Sequence, residues 1–264
     1  MESGNIFSLQ RFMLLLEQSF TINKKHMGVT ITALTGIFFI ILGLSQSAAH
    51  FQGWTQSNSL ITFELFFFSF GIVYASFAFP AFRTKEKTMS YLMLPVSALE
   101  KFTFEFLTRI VAFILFMPLL FWVVANLEGF IVHHFVPELV NYKFSFFTAW
   151  AELNNHNPVK GWTLFGYIQT ALFAFIAAFT GASHFSRAPL MKTIATFSII
   201  QVTGILFIYI LYKVLNLKEV DYSINHILFI RGKDDAVVFY SLFVLAVNLS
   251  LLSIAWFSLK EKEV

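Results

Sequence analysis

The chain contains no cysteine, which excludes disulfides, thiolate metal sites and cysteine nucleophiles. Charge is scarce too. Asp, Glu, Lys and Arg make up 12% of 264 residues, and the formal net charge is only +3. So small an excess leaves no electrostatic footprint for nucleic acid, and no nucleic-acid partner is expected. A cleavable signal peptide is not expected either. The first 27 residues carry Glu2, Arg11, Glu17, Lys24 and Lys25 around only a short apolar core at 12–16.

Apolar side chains fill the space that charge leaves. They account for 57% of residues, 36 of them Phe, and the mean hydropathy is +0.71. About 20 apolar residues cross roughly 30 Å of hydrocarbon as a helix. Six runs have that length, at 28–45, 60–79, 107–125, 164–182, 194–215 and 237–257. None alternates with period two, so a lipid-facing barrel does not fit, and helices alone satisfy their backbone inside lipid. The expected fold is therefore an all-α integral membrane protein with six transmembrane helices.

The basic residues set an orientation. Arg11, Lys24, Lys25, Arg83, Lys85, Lys87, Lys101, Arg109, Arg187, Lys192, Lys260 and Lys262 fall on one side of this six-span plan. Lys143, Lys160, Lys213, Lys218, Arg231 and Lys233 fall on the other. The richer side is expected to be cytoplasmic, with both termini there. Residues 1–27 form the first expected unit, an amphipathic interfacial helix, because Leu9, Phe12, Met13, Leu16 and Phe20 recur at helical spacing. Residues 28–264 form the second, the membrane domain. Aromatics at 126–161 predict short helices at headgroup level on the outer side.

The longest basic stretch, residues 83–106, lies between spans two and three and is patterned for two short helices. The first is expected over 84–94 and is stopped by Pro95, which lacks a backbone donor and restricts its predecessor. Ser97 and Glu100 then make an S-x-x-E capping box, in which the hydroxyl accepts from one amide and the carboxylate reaches back to another. The second helix starts there and runs through Lys101 into the third span.

This order of parts resembles the permease subunits of ABC-2 type exporters. Those have an interface helix, six spans, a cytoplasmic coupling segment between spans two and three, and an outer insertion before the sixth. Tyr91-Leu-Met-Leu-Pro-Val-Ser-Ala-Leu-Glu-Lys101 is similar to the LP-[VA]-S-R-x-E stretch frequent in small bacterial permeases of that family. The chain departs from it at Ala98, where Arg is common, so a phosphate or acidic contact by that Arg is not expected. The resemblance implies that Arg83, Lys85, Lys87, Tyr91, Pro95, Ser97, Glu100 and Lys101 belong to a coupling surface for a separate ATP-binding cassette ATPase subunit. It further implies a second permease chain, identical or similar, a bacterial inner-membrane location among membrane lipid, and no cofactor on this chain.

Other features limit the alternatives. Gly232-Lys233 is followed by Asp234 and lacks the earlier glycine of a phosphate-binding loop, so ATP hydrolysis belongs on a partner. His134 with Glu138, and Glu152 with His156, are spaced for one helical face, but two ligands do not make a metal site. No Asp, Glu or His lies near a span centre, which argues against a proton-driven carrier. Gln169, Gln201 and Asn248 are polar at depth and are the candidates for lining a substrate pathway; interhelical hydrogen bonding is the competing role. An accessory or scaffolding membrane protein without a pathway is the alternative function. An intramembrane enzyme is not expected, since no nucleophile–base pair or paired carboxylates occur at depth.

Cysteines introduced into this Cys-free chain test the topology. Sites at Ser59 and Asn155 are expected to react with an impermeant thiol reagent in intact cells, and Glu86→Cys is not. Labelling of Glu86→Cys from outside contradicts the orientation.

Overall fold

The computed structural model describes residues 7–48, 55–93, 96–135, 143–153, 161–214 and 233–262. Helix dominates, and no strand occurs among the described residues. In chain order the helices are α1 (Leu9–Ala48), α2 (Gln56–Ser76), α3 (Lys85–Leu92), α4 (Ala98–Phe106), α5 (Ala112–Phe135), α6 (Phe146–Leu153), α7 (Gly161–His184), α8 (Pro189–Val214) and α9 (Lys233–Glu261). A 3-10 turn at Pro80–Arg83 precedes α3, and a π turn at Leu107–Val111 joins α4 to α5. Six helical stretches are long and apolar enough to cross a membrane, and this is a multi-pass membrane protein. The chain forms two compact units, Met1–Gly71 with Pro95–Val159 and Ile72–Leu94 with Lys160–Val264.

In the first unit α1 runs 40 residues without interruption. At about 1.5 Å per residue it is some 60 Å long, roughly twice the hydrocarbon thickness. The sequence expectation separates residues 1–27 from the first span, whereas the helix continues through that boundary. No proline stands in it, and the hydroxyls of Thr21, Thr30, Thr32 and Thr35 donate back to carbonyls four residues earlier. The small residues Gly28, Thr32 and Gly36 lie open, with nothing near either glycine.

The core of this unit is aromatic. Phe121 of α5 meets Phe38 of α1 edge-on at 5.4 Å and Phe144 at 5.3 Å, and Phe63 of α2 meets Phe146 of α6 at 5.1 Å. Edge-to-face rings add about 0.5–1.5 kcal/mol per pair beyond area burial, which gives part of the Phe content a use. The short helix α6 is tied down by an exchange of caps. Glu152 Oε2 accepts from Ser57 N at 3.1 Å at the start of α2, and Gln56 Oε1 accepts from Ser145 N at 3.2 Å at the start of α6. Each side chain satisfies an amide that a helix N-terminus leaves unpaired.

The third apolar run is longer than the expected 107–125. It extends over Ala98–Val132 and contains two irregularities, the π turn and Pro118 inside α5. Proline removes a donor from the helical ladder, and π turns often mark functional sites.

In the second unit α7 packs along α9. Gln169 and Asn248 pair across this contact, Thr180 Oγ1 donates to Leu251 O at 3.0 Å, and Ser258 Oγ donates to Ser183 O at 3.2 Å. Small residues let the backbones approach and side-chain hydrogen bonds hold them, as is usual in membrane bundles. The second span ends at Ser76 rather than Phe79. Phe79 has left-handed backbone (φ 51°, ψ 52°), which a bulky side chain rarely adopts. It is buried against Phe82 and Phe179, with ring centroids 5.8 and 5.1 Å away.

Two consequences can be measured. Ser59 is fully buried and Asn155 lies outside the described residues, so exposed Thr55 is the better outer site for thiol labelling. A Cβ on Gly181 would fall 2.8 Å from Thr193 Cβ of α8 and closer still to its hydroxyl, whereas Gly204 faces open space. Overpacking of this kind costs about 1–3 kcal/mol. Gly181→Ala is expected to lower the melting temperature of the purified protein clearly and Gly204→Ala hardly at all. Equal effects contradict the tight α7–α8 crossing.

Candidate functional site

The capping box expected from sequence is formed. Ser97 is the N-cap of α4; its Oγ accepts from Glu100 N at 3.3 Å, and Glu100 Oε2 accepts from Ser97 N at 2.8 Å. The other carboxylate oxygen faces the start of α1. Glu100 Oε1 accepts from Ser8 N at 2.6 Å and lies 3.1 Å from Arg11 Nη2. One side chain therefore caps its own helix and holds the amide and the guanidinium of a segment some ninety residues earlier. Glu100 is fully buried, and with three donors on its two oxygens its charge is matched, as a buried carboxylate requires.

The rest of α4 follows the same plan. Its buried residues are Glu100, Lys101 and Glu105, and Glu105 Oε2 lies 3.4 Å from Arg109 Nε. Leu99 is exposed, and Phe102 and Phe106 stack, half-buried, on one side. The helix turns charges inward and apolar groups outward. Glu100 and Lys101, expected in a coupling surface, are among the inward-facing groups. The carboxylate is engaged by three internal donors and Lys101 is 2% exposed. Glu100 braces the start of α4 from within.

The first half of the basic stretch belongs to the second unit. Arg83 Nη2 donates to Ser76 O at 3.4 Å, where α2 ends, and the guanidinium lies 4.5 Å from the Phe77 ring. Tyr91 sets its ring edge-on to Phe82 at 5.6 Å. Lys85 and Lys87 lie in the first turn of α3, and their side chains fall outside what is described; Pro95 lies outside the described residues altogether. Lys262 reaches this turn from the C-terminus, with its ammonium 4.5 Å from the Phe82 ring centroid and donating to Ser183 O at the end of α7. A cation at a helix C-terminus is favourably placed on the dipole. Burial pushes the Lys262 ammonium below its ordinary pKa.

Of the pathway candidates the structure joins two. Asn248 Nδ2 donates to Gln169 Oε1 at 2.9 Å and to Gln169 O at 3.0 Å, both residues buried within the second unit. Gln201 stands apart on an exposed stretch of α8. The pair therefore meets the demands of packing first. His156 and Glu138, named for their spacing, lie outside the described residues. Among the described residues no three His, Asp or Glu side chains gather as a metal site would need.

Sequence reasoning missed three features here. Arg11 and Ser8 carry no local signal of pairing with Glu100. Lys262 reads as a tail charge. Glu128, past the end of the expected third span, is buried beside Gln46. Comparison with protein-family models, with curated proteins and with solved structures finds no match to this chain.

Proposed function

We propose that this chain is the permease subunit of an ATP-driven exporter of the ABC-2 type, with both termini cytoplasmic. It would pair with a second permease chain and with separate ATP-binding subunits. The observation that supports this most is the buried capping box at Ser97–Glu100 with α1 fastened to it through Ser8 and Arg11. A segment that receives movement from an ATPase has to be rigid and joined to the spans. Glu100 supplies one such joint, to α1, and α4 runs through the π turn into α5, which supplies another. The contact surface for the ATPase then falls on the exposed groups of the segment, such as Glu86, Met89 and Met93. Glu100 acts within the first unit, where it joins the start of α4 to the start of α1. The first turns of α1, with Leu9 and Met13 exposed beside Arg11, fit an interface helix.

Purification of the tagged chain from its own membranes tests the reading. It is expected to carry an ATPase with a phosphate-binding loop and to stimulate its hydrolysis. Glu100→Lys places a second cation against Arg11 and at a helix N-terminus, where the dipole disfavours it. That variant is expected to insert yet lose stimulation or the bound ATPase. Glu100→Ala separates loss of the carboxylate's own bonds to Ser97, Ser8 and Arg11 from the added charge. A stable assembly without any ATPase contradicts the reading and supports the accessory-protein alternative.

A further inference from the structure

Glu128 sits on α5 one turn beyond Val124 and Ala125 of the aromatic core, toward the end of the helix remote from the Ser97 cap. It is 1% exposed. Its Oε2 is 2.6 Å from Gln46 Nε2 of α1. Its Oε1 is buried and has no hydrogen-bond partner. A Cβ placed on Gly43 would stand 4.0 Å from that oxygen. The glycine thus leaves that side of α1 without bulk and without a donor.

Among the described residues no cation pairs with this carboxyl. On α1 the charged and titratable groups are Arg11, Glu17, Lys24, Lys25 and His26, the nearest in sequence 20 residues from Gln46, about 30 Å along the helix. On the neighbouring elements Lys143 is exposed, Glu152 is bound to Ser57 N, Glu64 of α2 is half-buried, and His134 lies exposed six residues further along α5. Among the described residues only Gln46 bonds to Glu128.

Contrast with Glu100 decides the chemistry. Glu100 meets three donors and is satisfied as a carboxylate. An ionised Glu128 would have one neutral donor for two oxygens, a costly state for a buried charge. The neutral acid needs one acceptor for its O–H, and the Gln46 amide supplies one once its oxygen and nitrogen exchange places. The separation of 2.6 Å is short for N–H···O and near that of O–H···O. The unpartnered oxygen has no exposed surface through which a larger ligand could reach it.

We infer that Glu128 is a proton-binding site. The bound proton sits on the carboxyl and is shared with the Gln46 amide, locking the end of α1 to α5. Release leaves a carboxylate and a free proton, and the ionised oxygen beside Gly43 then calls for water, which opens the contact. The inference does not depend on the exporter reading.

Infrared spectroscopy of the purified protein in detergent tests it by the carbonyl stretch of a protonated carboxyl. Such a band is expected near neutral pH, fading as pH rises, and absent in Glu128→Gln, which keeps an amide pair with Gln46 and is expected to fold. A folded state that holds the proton more tightly than the unfolded chain loses stability as pH rises toward the folded pKa. The wild-type melting temperature is therefore expected to fall toward alkaline pH relative to Glu128→Gln and to converge with it at acid pH. Gln46→Leu removes the acceptor and is expected to shift the band's titration. No band removed by Glu128→Gln, or a melting difference independent of pH, overturns the proposal.

Discussion

A charge withdrawn from water must be matched, and in this chain the matching of Glu100 is the joint on which the architecture of the first unit turns. Its carboxylate takes donors from Ser97, Ser8 and Arg11, and so fixes the start of α4 to the start of α1. The two helices need no large apolar contact there, because the interaction is directional and strong. The start of α4 is thus joined to α1 through Glu100 and to α5 through the continuous helical path.

The second unit solves a similar problem with neutral groups. Asn248, Thr180 and Ser258 bridge α7 and α9 along their length, and Gly181 admits Thr193. Lys262 then ties the C-terminal end to the turn that carries Phe82. That turn contains Phe79 in a left-handed conformation, which costs of order 1–3 kcal/mol and persists only where packing enforces it. Both units thus secure the basic stretch at its roots, one through an ion pair and one through aromatic packing.

Much of this was legible in the sequence, and for physical reasons. Apolar length located the six membrane-crossing helices, since lipid leaves the backbone no other solution. The S-x-x-E spacing located the start of α4, since capping is a local matter of one turn. The interhelical role of Gln169 and Asn248 was readable as a possibility, but their pairing was not. What stayed hidden depends on residues far apart in the chain. Arg11 and Glu100 have no periodicity in common, and Gln46 and Glu128 are 82 residues apart. The inward turn of α4's charges was also not legible, because basic stretches between spans usually face solvent. Here Leu99 takes the outward place.

The joint at Glu100 is tested most directly by hydrogen–deuterium exchange of the amides at residues 8–12 and 97–101. In Glu100→Ala both stretches are expected to lose protection together, whereas Ser97→Ala should loosen the start of α4 and leave residues 8–12 largely protected. Unchanged exchange at residues 8–12 in Glu100→Ala would show that α1 is held by something else and would contradict the account.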